Sequence, residues 1–240
     1  MKRLLTLALF GFAICTFYAC SKFNAGPEPE PTSLKIGLIA HLPFDGNADD
    51  ISDTGLTATV KGTTIVKDRF GNSAGAYYFD GIDDVITYNK PEMLSLGGFE
   101  PYTISVWAKP EAVDYTNIMI SKFNGGVLAG WYVGVNADSS AQVYRNVGPW
   151  AGKTDTKVTY GKFNHILTTY DGKNLDIYIN GKLESSTPFT SHPYDRKTEI
   201  AVGGTHSQNK LISRYLGTID EIRIYDRVLE SEEIEWLADN

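Results

Sequence analysis

Residues 217–226 read Gly-Thr-Ile-Asp-Glu-Ile-Arg-Ile-Tyr-Asp and carry three carboxylates, Asp220, Glu221 and Asp226. Carboxylates this close together can do two kinds of chemistry. About 5 Å apart across a glycosidic bond, two of them act as acid and nucleophile. Converging with other hard oxygens, they hold a divalent cation. The β-branched run around them predicts a strand, in which alternate residues share a face. Asp220 then falls with Ile222, Ile224 and Asp226, and Glu221 with Arg223 and Tyr225. The nearest same-face neighbours of Asp220 are isoleucines, and Glu221 is followed by a cation. This spacing predicts no catalytic pair, and the chain is expected not to be an enzyme.

Other chemistry-bearing residues are sparse. The four histidines, at 41, 165, 192 and 206, do not share metal-ligand spacing, and neither H-E-x-x-H nor G-x-S-x-G occurs. His165, inside FNHILTTY, is expected to be structural, whereas His206, in GGTHSQNK, lies in a polar stretch where a ligand contact fits. Asp83 and Asp84, in DGIDDVITY, read as a turn before a strand. A sugar site needs an aromatic face for the apolar side of the ring and polar groups for its hydroxyls. Trp150, in the Gly/Pro-bounded VGPWAGK, is the best exposed candidate, with Tyr144 and Arg145 close by in sequence. Trp107 alternates inside ISVWAKP and is expected in the core. Trp236 is expected to pack a terminal helix, and Trp131 fits either place.

The N-terminus carries an address. Lys2 and Arg3 precede an apolar run from Leu4 to Ile14, and the small Ala19 stands before Cys20. A charged start, a short apolar core and a small residue at the cut describe a secretory signal over residues 1–19. The run is too short for the ~20 residues of a membrane span. Of the two cysteines, Cys15 would leave with the signal, so no internal disulfide or thiolate zinc cluster is expected. The formal net charge is −7, and losing Lys2 and Arg3 makes it more negative, which argues against nucleic acid as a partner. Residues 20–33 then run into alternating Pro and Glu, an extended linker. Residues 34–240 remain for one domain.

That domain reads as strands. In LDIYI, Leu175, Ile177 and Ile179 share one face, and Asn180-Gly181 follows as a hairpin turn. Asp171-Gly172 marks a similar turn one strand earlier. Only ESEEIEWLAD reads as helix, with Ser231 as its cap and Ile234 and Leu237 on one face. About a dozen strand-like runs and one terminal helix predict an all-β, two-sheet antiparallel sandwich.

Two resemblances extend this reading. The Ala19–Cys20 junction, with Phe17 and Tyr18 ahead of it, resembles the relaxed lipobox of Bacteroidetes lipoproteins. It implies acylation of Cys20, and Ser21 after it implies the outer membrane. The ordered blocks LIAHLPFDGNADDISDTG, AYYFDGIDDVITY, YTISVWAKP, ILTTYDGKNLDIYINGKLESS and YLGTIDEIRIYDRVLESEEIEWL resemble the laminin G-like, concanavalin A-like lectin/glucanase superfamily. That family implies a jelly roll whose first and last strands pair, bringing Asp45 and Asn47 beside Asp220 as ligands of a structural Ca²⁺. Its glucanases carry Glu-x-Asp-x-Glu, which residues 217–226 lack. The expected function is non-catalytic recognition, of a glycan above all. The alternatives are a structural or protein-interaction module of an envelope assembly and, less favoured, a glycoside hydrolase.

Overall fold

The computed structural model describes residues 29–94, 96, 98–124, 129–145, 152–189, 198–207 and 210–240. The signal segment, Cys20 and Trp150 lie outside the described residues. Among the described residues, seventeen strands and one α-helix follow in chain order: β1 (Leu38–Leu42), β2 (Ala58–Lys61), β3 (Thr64–Val66), β4 (Ala76–Asp80), β5 (Val85–Tyr88), β6 (Tyr102–Pro110), β7 (Asn117–Asn124), β8 (Ala129–Val135), β9 (Ser140–Arg145), β10 (Lys153–Lys157), β11 (Asn164–Tyr170), β12 (Asn174–Ile179), β13 (Lys182–Pro188), β14 (Ile200–Val202), β15 (Thr205–Ser207), β16 (Lys210–Ile212), β17 (Leu216–Tyr225) and α1 (Ser231–Asp239). The strands β2, β3, β10, β15 and β16 have no counterpart among the sequence-predicted runs. Three of these, β2, β3 and β10, are short, largely exposed edge strands, so they show no apolar alternation.

The strands form two sheets. The eight-stranded sheet has the order β13-β12-β11-β6-β17-β4-β3, with β1 pairing antiparallel to β17. The nine-stranded sheet has the order β10-β9-β8-β7-β14-β5-β2, with the β15–β16 pair attached to β7. Their inner faces enclose one apolar core, to which β12 contributes Leu175, Ile177 and Ile179 and β17 contributes Ile219, Ile222 and Ile224. Gly203 is required here, since a Cβ at that position would meet the Phe79 ring at 2.3 Å. The predicted hairpin forms: Ile179 pairs with Lys182, and Asn180 and Gly181 take φ of 50° and 76°, the positive values of a type I′ turn.

Helix α1 packs on the outer face of the eight-stranded sheet. Ile234 and Leu237 join Leu34, Leu167, Tyr225 and Leu229 in a second apolar cluster, with Trp236 against it. Burying each of the two helix residues stabilises the docked helix by roughly 1.5–3 kcal/mol. The cap differs from expectation: Glu230 precedes the first turn, and Glu233 Oε2 accepts its backbone N–H at 2.9 Å. Trp107 also differs. Its neighbours Val106 and Ala108 face the core, so Trp107 points outward, half-buried beneath α1, and donates from Nε1 to the Leu237 carbonyl at 3.0 Å.

Candidate functional site

The acidic stretch lies in β17, and a bulge decides where its carboxylates point. Against β6, Ile219 pairs with Ala108 and Ile222 with Val106, so β17 carries one extra residue in that interval. Ile219 and Ile222 both reach the core, and Asp220 and Glu221 both turn to the outer face with Arg223. Strict alternation would have put Asp220 with Ile222.

On that face both carboxylates are engaged. Asp220 is 2% exposed, and its Oδ2 accepts the backbone N–H of Arg69 at 3.2 Å and Nη1 at 2.7 Å, while Oδ1 accepts the Glu221 N–H at 2.8 Å. Burial pushes the Asp220 carboxyl above the usual range, and the Arg69 charge and hydrogen bonds pull against that rise. Glu221 Oε1 accepts from His41 Nε2 at 2.7 Å and from Arg223 Nε at 2.5 Å. Burial alone would raise Glu221, but the His41 hydrogen bond and the Arg223 charge hold it down at about 2. The Arg69 guanidinium lies over the Phe70 ring (4.4 Å) and the Trp107 ring (5.2 Å), and its Nη2 donates to the Asn240 carbonyl.

A structural calcium needs several free oxygens converging on one point. Asp220 instead faces the Arg69 guanidinium, a fixed cation. Asp45 and Asn47 are exposed, and Asn47 Oδ1 accepts the Asp49 N–H at 2.9 Å, closing its own turn. The expected set Asp45, Asn47 and Asp220 does not fit the ion. The loop is organised by Asp50, which accepts from the backbone N–H of His41, Ser52 and Leu56 and the hydroxyls of Ser52 and Thr54. These bonds lower its carboxyl against the burial that would raise it. Elsewhere Asp80, Asp83 and Asp84 bring ligand atoms within 4.8 Å of one another, but Asp84 Oδ2 already accepts the Asp80 N–H and Asp83 pairs with Lys61.

The expected ligand contacts separate. Arg145 is 1% exposed in the core, because β9 alternates Ala141, Val143 and Arg145 inward. Its guanidinium sits 3.9 Å over the Tyr170 ring, near Tyr102 and Phe189, and Nη2 donates to the carbonyls of Leu96 and Gly98. Arg145 is therefore a structural cation in an aromatic box, not a ligand contact. Tyr144 lies on the opposite, outer face of the nine-stranded sheet. It stacks on Tyr132, centroids 5.1 Å apart and planes 7° apart, with Ile118 beside them. His206 is in β15, opposite Asn124 of β7.

Strand register extends the Tyr144 row. Thr59 pairs with Thr87, Thr87 with Ala201, Ala201 with Ser121, Ser121 with Tyr132 and Tyr132 with Tyr144. Five hydroxyl side chains thus lie in one line across six strands, exposed at Thr59, half-buried at Thr87 and buried beyond. Sequence reasoning missed Tyr132, Thr87 and Thr59, because only pairing register brings them together.

His165, as expected, is structural. It is fully buried, shares a 2.7 Å hydrogen bond between Nε2 and Ser105 Oγ, and lies against Trp107, ring centroids 5.2 Å apart and planes tilted by 34°. Burial, with Arg69 adding to it, pulls its imidazole down to about 3. A buried Ser–His pair whose Nδ1 has no partner lacks the third group that orients a catalytic base.

A family model described as the concanavalin A-like lectin/glucanases superfamily matches residues 80–235. Among solved structures, the chain is similar to the binding domain of Paraclostridial Mosquitocidal Protein 1, at 20% identity and TM-score 0.69, covering 85% of this chain and 52% of that one. It is similar to domain 4 of AbnA, a GH43 extracellular arabinanase from Geobacillus stearothermophilus solved with arabinotriose, at 22% identity and TM-score 0.65, covering 84% and 98%. The botulinum neurotoxin serotype G binding domain matches at 18% identity and TM-score 0.63, covering 84% and 50%. This chain spans about half the length of the two toxin binding domains. No curated protein sequence matches.

Proposed function

The chain belongs to the concanavalin A-like lectin/glucanases superfamily, and we propose that it is a non-catalytic module that recognises a carbohydrate. The observation that carries this reading is the line of hydroxyls from Thr59 to Tyr144 on the outer face of the nine-stranded sheet. The outer face of the other sheet is occupied by α1 and by ion pairs that engage Asp220 and Glu221. Hydroxyl side chains both donate and accept, as sugar hydroxyls require. Strands lie ~4.8 Å apart, roughly the repeat of a sugar unit, and the row is interrupted at Ala201 and at Ser121, whose hydroxyl donates to the Gly204 carbonyl at 2.7 Å. The arabinotriose-bound domain of the arabinanase, matched over nearly its whole length, supports a sugar ligand. The toxin binding domains support a binding module, and the alternative is a structural or protein-interaction module of an envelope assembly.

A glycan array on a chain beginning at Pro31, where the compact unit starts, tests the reading. Thr87→Val keeps shape and removes a hydroxyl, and Tyr144→Phe keeps the ring stack. Each is expected to weaken binding to the captured glycan about fivefold, in keeping with ~1 kcal/mol for a net hydrogen bond, with little change in melting temperature. Unaltered titrations in both variants would remove the row from the site, and an array without signal would favour a protein partner. The module is placed on the envelope by Cys20, proposed as the acylated first residue of an outer-membrane lipoprotein. Cys20→Ser is expected to release the protein from membranes and abolish lipid labelling. Wild-type protein that carries no lipid label would refute the anchor.

A further inference from the structure

Arg227 stands where three parts of the chain meet. The segment entering the domain forms a 3₁₀ turn at Thr32–Lys35 and buries Leu34 completely among Leu229, Ile234 and Leu237. The segment leaving β17 passes through Arg227, and α1 begins four residues later. The guanidinium joins them. Nε donates to the Ile36 carbonyl at 2.8 Å and Nη2 to the Ser33 carbonyl at 2.8 Å. Nη1 and Nη2 donate to Glu233 Oε2 at 2.7 Å and Oε1 at 2.8 Å, and Nη1 also reaches the Val228 carbonyl at 3.3 Å. A guanidinium has five N–H groups, and here these five acceptors match them. The Glu233 hydrogen bonds raise the Arg227 pKa, and they hold the Glu233 carboxyl down at about 2.

The position of this junction gives it a consequence. Directly after it comes β1, whose one pairing partner in the sheet is β17, beginning at Leu38 opposite Tyr225. A pull on the chain that precedes the domain would act on the end of that strand and open its ladder one bond at a time. Before the pull reaches Leu38 it meets Ser33 and Ile36, both held by Arg227, and Leu34, held by α1. The helix is in turn fixed at its far end by Trp107 and Arg69, through the carbonyls of Leu237 and Asn240.

We propose that Arg227 is a clasp that couples the entering segment to the C-terminal helix, so that tension on the N-terminal chain is borne by α1 and β17 together and β1 is protected from peeling. Lysine cannot replace it, since its three N–H donors radiate from one atom and do not form a planar fork. The coupling rests on the fold alone and is independent of the identity of the ligand.

The test is hydrogen exchange on the full chain, comparing wild type with Arg227→Lys and Glu233→Gln. In both variants, exchange over residues 33–42 and 231–239 is expected to rise together, by tenfold or more for Arg227→Lys. The amides of β6 and β11 should keep their wild-type rates. Loosening of one segment without the other, or of neither, would overturn the clasp. A second readout is pulling from the N-terminus against a handle in the Asp171–Lys173 turn. Rupture of the N-terminal segment is expected at lower force in Arg227→Lys, and equal forces would overturn the proposal as well.

Discussion

Arg69→Ala is expected to lower stability by about 3–5 kcal/mol, the range for removing one partner of a buried ion pair. In a domain of this size, that is a fall in melting temperature of roughly 10 °C or more. The reason is the carboxylate left behind. Asp220 is 2% exposed, and without the Arg69 side chain it keeps the backbone N–H donors of residue 69 and Glu221 but loses the cation that faces it. The pH dependence carries a sign. Burial already raises the Asp220 carboxyl despite Arg69, and losing the cation should raise it further. A carboxyl whose folded pKa lies above its unfolded value favours the folded state while protonated, and that support is lost as pH rises through the folded pKa. The variant should therefore regain stability relative to wild type as pH falls toward the carboxylate range. Arg69→Ala combined with Asp220→Leu, which leaves no charge behind, should recover most of the loss. Chelators should leave the melting temperature of the wild type unchanged. A fall on EDTA treatment that Asp220→Asn abolishes would show a metal where the structure has Arg69.

The same pair shows where the sequence was legible and where it was not. Period-2 alternation marked β12, its Asn-Gly turn was explicit, and Ile234 and Leu237 announced the buried side of α1. All three are local signals, and each is present in the structure. The pairing of β1 with β17, implied by the family resemblance, also holds. The bulge between Ile219 and Ile222 has no local signature, because one extra residue in a run of β-formers leaves the composition unchanged. It reversed the facing of Asp220. Arg145 and Trp107 failed differently. Their phase was readable, since Arg145 shares a face with Val143 and Trp107 lies opposite Val106, but residue type was given more weight than phase. A cation was expected outside and an indole inside. Partners from distant segments reversed both: the rings of Tyr102, Tyr170 and Phe189 around Arg145, and the cover of α1 over Trp107.

Acid should unfold the protein from an unusually high pH, with His165 as a principal cause. A free imidazole titrates near 6.5, whereas burial beside Arg69 pulls His165 down to about 3. In the protonated ring both nitrogens carry N–H, and Nδ1 has no partner. Between these two values the unfolded chain takes up a proton that the folded chain refuses, so stability falls as pH drops from 6.5 toward 3. At 1.36 kcal/mol per unit, the loss from this one residue is about 4–5 kcal/mol by pH 3, comparable to the whole margin of many domains. Glu221 and Glu233, each held at about 2, add their losses only once pH falls into the ordinary carboxylate range, so these two do not contribute between pH 6.5 and 5. His165→Phe with Ser105→Ala removes both ends of the 2.7 Å hydrogen bond while keeping a ring against Trp107, a change expected to cost little at pH 7. Urea unfolding at half-unit steps should show wild-type stability declining across that interval and the double variant nearly flat. Parallel declines in the two proteins would mean that the proton goes elsewhere and that His165 is not the group the fold keeps neutral.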